Sequence, residues 1–183
     1  MDCAYRQSFF SDKKGRMIEI RPARPEDAAM IIAAINQVAA EKRYLTTDYF
    51  EATVEQEQAF ITNQAISGNL FLVALHENEV IGTLTAQRAR GKYRAHVAEF
   101  GLSLLARYRN AGIGSQLIAR LLLWCDAAGI EKLNLEVFHD NARAIALYQK
   151  LGFHQEGIRK KQIKIDGHYI DLIQMTLFIA EGK

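Results

Sequence analysis

Between Ile113 and Ala128 the apolar residues fall on one side of a helix. Leu117, Ile118, Leu121, Leu122, Trp124, Cys125 and Ala128 recur at the spacing of a turn of about 3.6 residues. A stripe that wide has to be covered by a core, and Gly129 stops it. Runs of strand character lie on either side, His96 to Leu104 before it and Leu133 to Phe138 after it. Strand, helix and strand in that order predict a βαβ unit, a crossover that joins parallel strands.

The rest of the chain fills in around this unit. Met17 to Arg21 (MIEIR) alternates and predicts a first strand. Pro25-Glu26-Asp27 puts a proline and two acids at the start of a helix that continues from Ala28 to Ala40. Arg43 to Phe50 is aromatic and irregular, a loop, and Val54 to Ile66 predicts a second helix stopped by Ser67-Gly68. Leu70 to His76 and Val80 to Arg88 predict a hairpin about Glu77-Asn78-Glu79. Asp140 is placed to cap a helix from Asn141 to Leu151, closed by Gly152. Asp166-Gly167 predicts a tight C-terminal hairpin turn that sets Ile163 opposite Ile170. The order β-α-α-β-β-β-α-β-α-β-β predicts an α/β fold with a mixed, mostly antiparallel central sheet flanked by about four helices. A single domain is expected over residues 17–183, preceded by residues 1–16 as a polar, loosely held extension.

Composition removes several classes of function. A net charge of +2 is too small to point to nucleic acid. The basic cluster Arg159-Lys160-Lys161 with Lys164 lacks the interleaved aromatics of a stacking platform and reads as a solvated face. Cys3 and Cys125 are no disulfide framework, and Cys125 on the helix stripe reads as a small buried hydrophobe. No run of about 18 apolar residues predicts a membrane span, and the first residues lack the apolar centre of a secretion signal. A cytoplasmic setting is expected. His76, His96, His139, His154 and His168 show no metal-ligand spacing, so no metal is expected.

The stretch RYRNAGIGSQL, Arg107 to Leu117, runs two arginines and two glycines into the long helix. No glycine is followed by Lys-Ser or Lys-Thr, so a P-loop fails. A dinucleotide fingerprint would place Leu117 where a small residue is needed. Two readings stay open. In one, a pyrophosphate sits on the free N–H groups of the helix N-terminus with Arg107 and Arg109 at its mouth; in the other, a glycine-rich turn carries solvated arginines.

Arg109-x-x-Gly112-x-Gly114, between a strand and an amphipathic helix, resembles the acyl-CoA motif [R/Q]-x-x-G-x-[G/A] of the GNAT superfamily of N-acetyltransferases. LNLEVFHDNARAIALYQKLGF, residues 133–153, resembles that family's second signature. The likeness covers roughly residues 17–178. It implies acetyl-CoA as cofactor, with its diphosphate on Arg109, Asn110, Ala111, Gly112, Ile113, Gly114 and Ser115. It also implies main-chain contacts from Leu102, Ser103 and Leu104 to the pantetheine arm, a β-bulge near them, Asn141 on the arm and Tyr148 as general acid.

Transfer of an acetyl group to an amine needs a base for the ammonium, stabilisation of the thioester oxygen and a proton for the departing thiolate. Tyr148, with an ordinary pKa of about 10, arrives protonated. It shares a helix face with Asn141 two turns earlier, though its spacing from Ile145 and Leu151 fits core packing too. Glu99, an acid inside the apolar strand AHVAEFGLSL, is the first candidate base; Glu136 is the second and His139 the third. Arg143 could reach a phosphate or stay in solvent. The acceptor is expected to be a small-molecule or peptide amine, walled by Lys42 to Tyr49, Arg90 to Arg94 and the final hairpin, with Tyr44, Tyr49 and Phe50 shaping the pocket. A non-catalytic acyl-CoA-binding or sensing domain is the alternative, and exposed strand edges are compatible with a homodimer.

Overall fold

The computed structural model describes residues 7–179. Eight strands form one sheet: β1 (Ser8–Ser11), β2 (Met17–Pro22), β3 (Leu70–His76), β4 (Glu79–Arg88), β5 (Val97–Leu104), β6 (Lys132–Phe138), β7 (His154–Ile165) and β8 (His168–Phe178). Their order is β1-β2-β3-β4-β5-β6-β8-β7, and every neighbouring pair is antiparallel except β5 and β6. The helices are α1 (Ala28–Ala39), α2 (Val54–Ile66), α3 (Ile113–Ala128) and α4 (Ala142–Lys150). The mixed, mostly antiparallel sheet with four helices is the expected architecture.

The α3 stripe is buried as its periodicity requires, with Leu117, Ile118, Leu121 and Cys125 fully enclosed. Gly129 ends the helix in the left-handed conformation at φ +66°. Strand β3 is buried along nearly its whole length, because helices cover both faces of the sheet. On one face Phe60 of α2 packs edge-on to Phe71 of β3. On the other, Tyr148 of α4 meets Phe100 of β5. The C-terminal hairpin turns at Asp166-Gly167 and pairs Ile163 with Ile170, the register the turn predicts.

Four expectations change. The segment read as irregular over residues 1–16 contains strand β1, paired from Ser8↔Ile20 to Ser11↔Met17; residues 1–6 of that segment lie outside the described residues. Asn141, not Asp140, caps α4: its side-chain oxygen accepts from the Ala144 N–H at 3.2 Å, while Asp140 faces Arg43 at 3.7 Å. Asp27 does not serve the helix end as a free acid. It is buried, takes both Arg21 guanidinium nitrogens at 2.7 and 2.8 Å, and accepts from the Arg24 N–H. Finally, the β4–β5 ladder runs from Gly82↔Leu104 to Arg88↔Ala98 without a register shift, so no bulge interrupts β5 in it.

The site is opened by the topology itself. β5 pairs with β6 only from Val97↔Lys132 to Glu99↔Asn134. Beyond that point β6 bonds only to β8 and β5 only to β4, and the two strands part.

Candidate active site

A cavity of about 1020 Å³ fills the fork between β5 and β6 and spreads to the loop after α1. Its walls include Tyr44 from the loop after α1, Glu99 and Leu104 from β5, Gly112 from the loop before α3, and Asn141 and Tyr148 from α4 and its cap, four separate stretches of the chain.

The helix end comes first. Asn110 and Gly112 both take positive φ, +62° and +88°, and swing the backbone so that Gly112 is the N-cap of α3. Gln116 N–H makes the first helical bond, to the Gly112 carbonyl. No hydrogen bond among the described residues uses the N–H groups of residues 110–115, the donors a helix start leaves over. They sit where the partial positive charge of the helix end favours an anion. At Gly114 a β-carbon would stand 3.4 Å from Leu147 Cδ2 and 3.7 Å from Leu104 Cδ1, room for one methyl and no more.

The arginines behave differently from expectation. Arg109 gives its Nε–H to the Leu104 carbonyl at 2.9 Å and its two terminal nitrogens to the Glu41 carboxylate at 2.7 and 2.6 Å. Its guanidinium also lies 4.4 Å from the centre of the Tyr44 ring. It lines the cavity, yet most of its donors bolt the end of β5 to the segment after α1. Arg107 is not at the mouth. It pairs with Glu79 at 3.2 Å on the β3–β4 turn and stands outside the cavity.

Along β5, alternate residues point their peptides to opposite sides. Leu105 N–H donates to Ile81 and the Val97 carbonyl accepts from Ala89, so the odd-numbered peptides serve β4. Those of Leu102 and Leu104 therefore face the fork. Ser103 does not offer its peptide there, and its hydroxyl is 3.0 Å from that of Thr83. Gly82 lets the strands approach this closely, since a β-carbon there would run into the Leu104 side chain and lie 2.7 Å from the Ser103 carbonyl oxygen. Neither Gly82 nor Thr83 stands out in the sequence, because an ordinary strand pattern hides a close approach.

Tyr148 is 7% exposed, with its ring locked between Phe100 at 5.9 Å and Phe153 at 5.7 Å. Burial pushes its hydroxyl up to about 12. The Tyr148 hydroxyl has no hydrogen-bond partner among the described residues and is not among their sealed, unsatisfied side-chain atoms, so it keeps access to the cavity it lines. Core packing and access to the site therefore hold for the same side chain. Asn141 lines the same cavity, its oxygen engaged as the cap and its amide N–H₂ left over.

Of the three candidate bases, Glu99 is exposed on β5 and lines the cavity. Glu136 lines it too, but its carboxylate holds Arg159 Nε at 2.9 Å and accepts from Gln174 at 3.2 Å. His139 bonds through its backbone to Asp171 and stays outside the cavity. Arg143, Arg90, Arg94 and Tyr44 line it; Tyr49, 61% exposed, and Phe50 do not. From the final hairpin only Leu172 reaches the wall. Lys13, on the β1–β2 turn, lines the cavity although its segment reads as an extension. No group of three or more His, Cys, Asp or Glu suited to a metal ion occurs among the described residues, and no helix there is long and apolar enough to cross a membrane.

The model of the acetyltransferase (GNAT) family matches residues 33–153. An N-alpha-acetyltransferase of Sulfurisphaera tokodaii is 31% identical over 172 residues, 88% of this chain and 90% of that protein. An L-amino acid N-acetyltransferase of Escherichia coli is 38% identical over 106 residues, which span 57% of this chain and 65% of that protein. The crystal structure of a GNAT-family acetyltransferase from Streptococcus pneumoniae superposes with a TM-score of 0.84 at 30% identity, covering 89% of this chain and 99% of that one. The forked strands, the open amides before α3 and the match over both signatures lead to one assignment: the chain belongs to the acetyltransferase (GNAT) family, whose cofactor is acetyl-CoA, and is an acetyltransferase.

Proposed function

We propose that this chain moves an acetyl group from acetyl-CoA to a primary amine by direct attack, the acceptor being an amino acid, another small amine, a polyamine or a protein N-terminus. One observation carries the reading: a single cavity joins the helix start at Asn110, Gly112, Gly114 and Ser115, whose amides lack acceptors, to a tyrosine hydroxyl held in place by packing alone. Coenzyme A fits these residues. A diphosphate satisfies the amides, and the outward peptide of Leu102 and N–H of Leu104 suit an extended arm that is itself rich in amides. Bound there, acetyl-CoA supplies an acetyl group already activated on sulfur.

The chain's own groups divide the remaining work. Tyr148, its pKa pushed up to about 12 by burial, keeps its proton at neutral pH and holds it for the departing sulfur. Glu99 removes a proton from the acceptor ammonium, directly or through a water. Asn141 keeps its amide N–H₂ for the cofactor arm. Arg90 and Arg94 on the cavity wall favour an acceptor bearing a carboxylate over a polyamine, and the L-amino acid N-acetyltransferase relative points the same way. A cytoplasmic setting and a homodimer complete the reading; fractionation and light scattering check them.

The experiment is thiol release from acetyl-CoA over a panel of amino acids, amino-acid amides, peptides and polyamines. Release with at least one amine, fastest for an acceptor with a free carboxylate, is expected. Binding of coenzyme A with no release on any amine would return the chain to the non-catalytic alternative.

A further inference from the structure

The N-terminal hairpin is fastened to the start of α3 more firmly than an appended strand requires. Asp12, buried at the turn, accepts from the N–H groups of Lys14 and Arg16 at 2.8 and 3.0 Å and from Arg16 Nε at 2.8 Å. Arg16 in turn donates to the Arg107 carbonyl at 3.2 Å and lies 4.3 Å from the centre of the Tyr108 ring. Lys13 N–H donates to the Ala111 carbonyl at 3.1 Å. Backbone and side chain together therefore pin the turn against residues 107–111.

This pinning lays the Lys13 side chain along Gly112. A β-carbon at Gly112 would sit 3.8 Å from Lys13 Cε and 3.9 Å from Lys13 Cγ. Lys13 lines the cavity beside Asn110, Gly112 and Ser115, and its ammonium pairs with no carboxylate among the described residues. A cation at the positive end of a helix is electrostatically misplaced unless an anion lies between them. The amides of Asn110, Gly112, Gly114 and Ser115, residues that line the same cavity, have no acceptors among the described residues.

We infer that Lys13 is a binding residue for the cofactor, pairing its ammonium with the diphosphate seated on residues 110–115, and that the β1–β2 hairpin is a wall of the cofactor site. The inference rests on the reading that acetyl-CoA binds there. The arrangement assigns to Lys13 the positive charge that the motif alone assigns to Arg109, whose guanidinium is occupied by Glu41 and Leu104.

The test compares wild type with Lys13→Ala, Lys13→Arg and the neighbouring control Lys14→Ala on three thioesters: acetyl-CoA, acetyl-3′-dephospho-CoA and S-acetylpantetheine. Coenzyme A affinity is titrated alongside. Lys13→Ala is expected to raise KM for acetyl-CoA roughly three- to tenfold with kcat unchanged, as loss of one partly exposed charge pair would. The same factor is expected with the dephospho compound, and none with S-acetylpantetheine, which has no diphosphate. Lys13→Arg restores most of the affinity, Lys14→Ala changes nothing, and the KM ratio shrinks as salt is raised. Equal coenzyme A affinity in wild type and Lys13→Ala overturns the inference. So does a defect that persists with S-acetylpantetheine, which marks a structural role, or one that vanishes with the dephospho compound, which moves the contact to the 3′-phosphate. Failure of wild type itself to bind coenzyme A would instead defeat the functional reading beneath it.

Discussion

Tyr148 stands edge-on to Phe100, their ring centroids 5.9 Å apart and their planes at 82°, while nothing among the described residues hydrogen-bonds its hydroxyl. The ring is positioned by packing, so the oxygen is free for chemistry. Removing that oxygen should therefore leave the fold intact. Tyr148→Phe is expected to lower kcat about a hundredfold, the scale of a general acid, with coenzyme A affinity within about twofold of wild type. Steady-state kinetics and a coenzyme A titration check both. Unchanged turnover would hand the proton to a water.

The same burial sets the pH profile. Burial pushes the Tyr148 hydroxyl up to about 12, so it remains a proton donor throughout the neutral and mildly alkaline range. The rate should rise with pH as the acceptor ammonium deprotonates, with no descending limb from Tyr148 below roughly pH 10. A falling limb near neutrality that Tyr148→Phe removes would contradict this.

Glu99 and Glu136 are separable because only Glu136 is held by an arginine. Glu99→Gln should lower kcat/KM roughly ten- to a hundredfold at neutral pH, and the deficit should shrink as pH rises and the amine loses its own proton. Glu136→Gln should have a much smaller effect. The opposite ranking would move the base to β6.

The two motif glycines should fail differently. At Gly114 a methyl finds ordinary contacts, so Gly114→Ala is expected to be tolerated, whereas Gly114→Leu would drive into Leu104 and Leu147. At Gly112 there is space for a methyl, but the φ of +88° is unfavourable for any L side chain. Gly112→Ala should cost about 1–2 kcal/mol of stability and weaken cofactor binding by turning the amides. Thermal unfolding and coenzyme A titration distinguish strain from overpacking.

Glu57 on α2 is 2% exposed, and burial alone pushes its carboxyl above the ordinary range. A group whose folded pKa is raised favours the folded state most at low pH and loses that contribution as pH rises through its folded value. Glu57→Gln should therefore stabilise the protein at neutral pH, on the order of 1 kcal/mol, with the gain disappearing below the ordinary carboxylate range. Denaturant unfolding at two pH values reads the difference; a destabilised glutamine variant at neutral pH would reveal a partner for the carboxylate.

Much of the fold was legible because it is written in local terms. The α3 stripe is a periodicity, the Asp166-Gly167 turn is a backbone preference, and the left-handed backbone at Gly112 is a conformation that the chain announces with glycine. Period and turn chemistry act over a few residues, and a sequence displays them directly. β1 escaped notice because four residues of strand at a sheet edge carry little pattern of their own.

The site was only half legible for the same reason. The chain order by itself determined that a glycine loop would open a long helix and that Tyr148 and Asn141 would share a face. Tertiary structure alone decided that Arg109 is taken up by Glu41, that Glu136 is held by Arg159 while Glu99 stays open, and that Lys13 arrives beside Gly112 from nearly a hundred residues upstream. Charged side chains are long and their partners lie far off in sequence, so their pairing is settled by where the sheet brings distant loops together.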